Sequence, residues 1–161
     1  MSVMAFSQKN IFDVARSGTV EELKKLMTVN PDTINKINSA GYLPLTLACY
    51  RGNEAVALFL AEHVKDINGG SNYGTALMAA VFQNKETIVK ALLKFHADPN
   101  LSDKNGATAL QYAVMKRNET IIKLLMDANA DVNAKDNRGN SAMDYGKMTQ
   151  NKNIIELLTK T

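Results

Sequence analysis

Tryptophan is absent from this sequence, cysteine occurs once and proline three times. The single Cys49 excludes an intramolecular disulfide and a cysteine-based zinc site. Aromatic residues make up 6% against 45% for hydrophobic residues as a whole, so a core must be packed from aliphatic side chains. A net charge of +3, without any basic run of the kind that marks a nucleic-acid arm, argues against nucleic acid as a partner. Long apolar runs are missing too. The opening Met1-Ser-Val-Met-Ala-Phe6 is far too short for a membrane span or a signal core, so no membrane partner is expected. The compartment stays open: a cytoplasmic chain is favoured, and an exported form whose leader had been removed would read the same way.

Catalytic patterns are equally scarce. His63 and His96 are the only histidines, and neither joins a His-Glu-x-x-His or Cys-His arrangement. The glycine-rich stretch Gly69–Gly74 lacks the lysine that a phosphate-cradling loop needs after its last glycine. No catalytic residue, metal ligand or cofactor is therefore expected. Asp66, Asp98 and Asp131 recur regularly, but equivalent positions in stacked repeats lie about 10 Å apart, too far to share one cation; they read as turn-capping carboxylates.

What the sequence does have is a period. Leu110 stands 33 residues after Leu77 and 33 before Met143; Leu45 lies 32 before Leu77, and Phe12 lies 33 before Leu45. Three residues past each anchor stand Ala15, Ala48, Ala80, Ala113 and Gly146, small enough for a neighbouring helix to approach. A second apolar set keeps phase: Leu23/Leu26/Met27, Val56/Phe59/Leu60, Ile88/Ala91/Leu92, Ile121/Leu124/Leu125 and Ile154/Leu157/Leu158. The spacing i, i+3, i+4 is one face of a helix. Five copies of a two-helix unit follow, none able to cover its stripe alone. Asn35, Asn68, Asn100 and Asn133 each precede a glycine (Gly41, Gly74, Gly106, Gly139) by six residues, so each link reads as a hairpin-like finger. Pro44 falls in the first turn of a helix. The single 32-residue step loses a residue after Gly74, which predicts a different shape for that finger.

Leu43-Pro-Leu45-Thr-Leu-Ala48, Thr75-Ala-Leu77-Met-Ala-Ala80 and Thr108-Ala-Leu110-Gln-Tyr-Ala113 resemble the Thr-Pro-Leu-His-x-Ala signature of ankyrin repeats. Ala97-Asp98-Pro-Asn100 and Ala130-Asp131-Val-Asn133 resemble that family's inter-repeat segment. The resemblance implies an all-α solenoid of stacked helix-turn-helix units with β-hairpin-like fingers. One domain over 1–161 is expected, with approximate repeats 8–36, 37–69, 70–101, 102–134 and 135–161. No copy keeps the signature histidine: Asp13, Thr46, Met78, Gln111 and Asp144 stand there. In the family that histidine hydrogen-bonds between and within repeats, so its loss puts repeat stability, not the fold, in question. Gly146 inside the last copy costs about 1 kcal/mol relative to alanine and predicts a frayed C-terminal repeat.

The resemblance also places the finger tips and the concave inner-helix face, and the candidate partner-binding residues fall there. They are Tyr42, Leu47, Tyr50, Arg51, Tyr73, Phe82, Gln83, Lys104, Asn105, Tyr112, Met115, Lys116, Arg138 and Tyr145. Amphipathic rings beside arginine and lysine have the make-up of a protein-binding patch. The opposite side, with Glu22, Lys24, Lys25, Lys90 and Lys123, reads as a solvated face. The expectation is a monomeric, non-enzymatic module that binds a protein or peptide. A dedicated accessory or inhibitor subunit of one enzyme is the alternative, and an enzyme comes behind both.

Overall fold

The computed structural model describes residues 9–71 and 73–160. The apolar opening segment before residue 7, the first residue of the 8–36 repeat, and Asn72 of the shortened finger lie outside the described residues.

Among the described residues five helix pairs follow one another. They are α1 (Ile11–Ser17) and α2 (Val20–Val29), α3 (Pro44–Arg51) and α4 (Glu54–His63), α5 (Ala76–Phe82) and α6 (Glu86–Lys94), α7 (Ala109–Met115) and α8 (Glu119–Asp127), and α9 (Ala142–Thr149) and α10 (Lys152–Thr159). A 3₁₀ turn, Pro31–Asn35, extends the first link. Odd helices pack on odd and even on even, so two parallel files of helices make the stack. This is the helical solenoid that the period implies. No helix among the described residues is long and apolar enough to cross a membrane.

Local chemistry sets where each helix begins. Pro44 opens α3, where its missing N–H has no partner to lose. Thr75 and Ser141 accept from the N–H groups of Met78 and Asp144, and Thr19 and Glu22 close a capping box on α2. The inner helices from α3 onward end in a left-handed residue, Gly52, Asn84, Arg117 and Gln150; only the first is glycine, so three of these stops hold a strained side chain.

The core lies between the two files. Ala15, Ala48, Ala80 and Ala113 are wholly buried, and so are Leu23, Val56, Ile88, Ile121 and Ile154 from the outer helices. Leu60, Leu92, Leu125 and Leu158 are buried one turn later, while Leu26, Phe59, Ala91, Leu124 and Leu157 are half-buried on the flank. Gly146 is not a simple loss of helix propensity: a Cβ there would come within 2.7 Å of Leu158 Cδ1, so the glycine makes room for that leucine. Cys49 is wholly buried, and burial holds its thiol far above the ordinary range, so it stays protonated and inert.

Hydrogen bonds tie the repeats where the signature histidine is missing. Gln111, wholly buried, accepts from Thr108 N at 2.7 Å and donates from Nε2 to Asn140 O at 2.7 Å and Ala134 O at 3.2 Å. It supplies bonds within and between repeats at the position of the missing histidine. A second tie runs through the links. Asn35, Asn68 and Asn100 accept from the N–H groups of Lys65, Asp98 and Asp131 in the next repeat, at 3.0, 2.8 and 2.7 Å. Asp66, Asp98 and Asp131 cap their own turns by accepting from Asn68, Asn100 and Asn133 N–H at 2.9, 2.8 and 2.8 Å. Asn53 adds three bonds to the end of α1, reaching the carbonyls of Val14, Ala15 and Gly18.

Leu92→Ala or Leu125→Ala removes a wholly buried side chain from the middle of the stack and should cost about 2–5 kcal/mol. Urea unfolding followed by circular dichroism measures it; an unchanged midpoint in either variant would contradict this packing.

Candidate binding groove

Three fingers are built on one clamp. Asn38, Asp103 and Asp136 each open a turn, donating from the main chain to the carbonyl four residues on, Tyr42, Ala107 and Asn140, at 3.0 Å in each case. The same side chains accept from two N–H groups of their own turn: Ala40 and Tyr42, Asn105 and Ala107, Arg138 and Asn140. In the later two fingers a tyrosine from the following helix completes the clamp, Tyr112 Oη donating to Asp103 and Tyr145 Oη to Asp136 at 2.5 Å. Burial and that carboxylate push the Tyr112 phenol up to about 12. Tyr145 is also raised, chiefly by its bond to Asp136, and the same bond holds Asp136 below its ordinary value.

The second finger departs from this plan. Ser71 stands at the clamp position, and Gly74 (φ +108°) leads directly into Thr75, without the residue that follows Gly41, Gly106 and Gly139. A two-residue antiparallel pair forms instead, Gly70 opposite Thr75 and Ser71 opposite Gly74, with Tyr73 N donating to Ser71 Oγ at 3.1 Å. The altered shape expected of this finger is observed. It also leaves a polar group stranded. Thr46 occupies the position that Gln111 holds two repeats later, but its side chain is shorter. Gln111 donates to the carbonyl of Asn140, the residue after its finger glycine, and the second finger lacks that residue. Thr46 Oγ1 has no hydrogen-bond partner among the described residues.

Above this break lies a groove of about 510 Å³. Leu47, Met78 and Ala79 belong to its lining from the inner helices, Tyr42 and Tyr73 from the fingers, and Tyr50, Phe82 and Tyr112 from the following turns, with Arg16 and Arg51 at the N-terminal side. Tyr42 and Tyr73 stack with centroids 5.5 Å apart, and Phe82 meets Tyr112 edge-on at 6.1 Å. Two lysines sit on the outer rings, Lys104 Nζ 4.4 Å from the Tyr73 centroid and Lys116 Nζ 4.1 Å from that of Phe82. Such contacts hold the rings in place.

Seven residues expected to meet a partner line this groove: Tyr42, Leu47, Tyr50, Arg51, Tyr73, Phe82 and Tyr112. Lys104 and Lys116 join it through the rings they cover. Gln83, Asn105, Met115, Arg138 and Tyr145 do not line it. Met115, Asn105 and Arg138 are exposed along the same file of helices and fingers, and Gln83 is half-exposed. Tyr112 and Tyr145 spend their hydroxyls inside the fold, on finger carboxylates. Arg16, Asn38, Thr46 and Met78 line the groove without being expected to. For Thr46 and Met78 the signal was present, since both stand where the signature histidine is replaced. Neither histidine takes part. His63 closes α4, stacked on Phe59 with its Nδ1 2.7 Å from Phe59 O, and His96 holds a left-handed stop at φ +66°. Among the described residues no three of His, Cys, Asp and Glu gather to hold a metal ion.

A family model described as "Ankyrin repeats (3 copies)" matches residues 11–103 and 77–161. The chain is 35% identical over 99 residues to the Ankyrin repeat and SAM domain-containing protein 6 of Rattus norvegicus, across 60% of this chain and 11% of that relative. It is 30% identical over 100 residues to the E3 ubiquitin-protein ligase Ufd4 of Drosophila melanogaster, across 62% of this chain and 4% of that relative. The chain therefore spans about a tenth or less of the curated relatives it matches.

The finger clamp titrates. Asp136 lies below its ordinary 3.8, so the stability it adds is full above that pH and is lost as pH falls through the lowered value. Melting temperature followed from neutral pH downward should drop in the acid limb, and Asp136→Asn should flatten that drop. Superimposable acid limbs would show that the clamp contributes nothing.

Proposed function

The chain belongs to the ankyrin-repeat family, and from that premise we propose that it is a non-enzymatic module that binds a protein or peptide through its inner-helix face and finger tips. The observation that carries this reading is where large apolar side chains stay exposed. Tyr50, Tyr73, Phe82, Met115 and Met148 are 50%, 59%, 42%, 45% and 62% exposed, and all five belong to the inner helices or a finger. The other two among the described residues, Val29 and Ile37, end α2 and follow the 3₁₀ turn. Water is the poorer neighbour for these rings and thioethers, and a partner that covers them gains their burial.

The mechanism is rigid display. Tyr42, Tyr73 and Lys104 link three successive fingers by stacking and cation–ring contact. Asn137 ties the last two, donating from its main chain to Asn105 O at 2.9 Å and from its side chain to Lys104 O at 3.0 Å. Surfaces held this way lose little further entropy on docking. Energy would come from a few aromatic and arginine anchors, with the polar tips setting choice of partner.

Replacing Tyr50, Phe82 and Met115 together by alanine leaves the finger clamps intact and removes three exposed anchors. Recovery of the partner from host extract by the immobilised chain should fall about tenfold or more, while Lys24→Ala with Lys90→Ala on the outer helices should leave it unchanged. Equal recovery by the triple variant would defeat the inner-helix reading.

A further inference from the structure

The cations along the groove have few acidic partners. Arg16 pairs with Asp13 at 3.3 Å. The other ion pairs among the described residues, Lys9–Glu22, Lys65–Asp32 and Lys160–Glu156, involve no residue of the groove lining. Arg51 lines the groove, is exposed, and meets no carboxylate within 4.0 Å among the described residues. Lys104 and Lys116 stand at its rim on the faces of Tyr73 and Phe82, likewise without a carboxylate. The carboxylates on this side are committed to the fold. Asp103 and Asp136 each accept two main-chain N–H bonds and a tyrosine hydroxyl, and Asp144 holds the main chain and hydroxyl of Ser141.

An incoming cation would find the Tyr73 and Phe82 faces taken and would meet Arg51 beside them. A carboxylate meets the reverse. Arg51 offers a forked set of donors on an apolar margin, where a charged hydrogen bond is stronger than in open water. The size of the groove limits the rest. At about 510 Å³ it has room for a few side chains of a bound segment. An extended segment can place one large side chain over Leu47 and Ala79 and run its neighbours past Arg51. The second finger, one residue shorter than its neighbours, borders this space with Tyr73 and Thr75.

We propose that the groove takes an extended acidic segment of a partner protein, one aromatic or large aliphatic side chain entering between Tyr50 and Phe82 and an adjacent carboxylate bound by Arg51. This rests on the inner-helix face being the binding surface and names the chemistry of what binds. Association with such a segment is steered by the surrounding cations and weakens with salt.

The test is a phage-displayed library of random dodecapeptides, panned on the full chain and counter-panned on Arg51→Glu. The sequences retained should combine Asp or Glu with Tyr, Phe or Leu. A fluorescein-labelled synthetic copy of the dominant peptide should bind about tenfold more weakly to Arg51→Glu, and more weakly in about 300 mM than in about 50 mM salt. Lys90→Glu, on α6, should leave its affinity unchanged. Convergence on neutral or basic peptides, an affinity indifferent to Arg51→Glu, or no enrichment at all would each overturn the proposal. A neutral peptide that still needs Tyr50 and Phe82 would overturn the acidic class alone, whereas partner recovery indifferent to the alanine triple would remove the surface itself.

Discussion

Each helix pair in this chain needs a neighbouring pair, because seven to ten residues of helix cannot cover their own apolar stripe. The alanine column from Ala15 to Ala113 lets the inner helices close up, and Ile88, Leu92, Ile121 and Leu125 from the outer helices fill the space behind it. Gly146 is the limiting case, giving up its Cβ so that Leu158 can enter. Packing of this kind is additive along the stack and nearly indifferent to what the solvent-facing positions carry. That freedom is what allows one edge of the array to be specialised.

The polar ties between repeats are less uniform than the packing, and the unevenness falls beside the groove. Where Gln111 reaches Asn140 and Ala134, the third and fourth fingers are pinned to the stack and to each other. One finger is a residue short, and there the equivalent side chain is Thr46, whose hydroxyl finds nothing. Thr46 lies in the lining of the groove that the shortened finger borders through Tyr73 and Thr75. Stacked Tyr42 and Tyr73, with Lys104 beyond, hold the altered finger in place by ring contacts.

The period was legible because apolar spacing repeats in register: the anchors Leu45, Leu77 and Leu110, the alanine column and the leading positions of the outer-helix stripe are buried, while the end anchors Phe12 and Met143 are half-buried. Pro44 at the head of α3 and the turn-capping Asp66, Asp98 and Asp131 were legible for the same local reason. The clamp of Asn38, Asp103 and Asp136 was not, since it depends on which N–H groups a turn brings within reach. Nor was the substitution of Gln111 for histidine, whose partners lie 23 and 29 residues away. The tyrosines show the mixture most clearly. Tyr50 and Tyr73 are as exposed as a binding role needs, while the hydroxyls of Tyr112 and Tyr145 belong to the fingers. The resemblance to ankyrin repeats put all of them on one face and could not tell these two kinds apart.

The claim that the shortened finger belongs to the binding groove is open to one direct measurement. Inserting an alanine between Gly74 and Thr75, together with Thr46→Gln, restores the residue and the donor that the neighbouring repeat uses. Thermal midpoint and partner recovery are then measured on the same protein. The midpoint should rise and recovery should be lost, because the restored finger alters the border of the groove. A stabler protein that still recovers its partner fully, or one that gains no stability, would contradict the account.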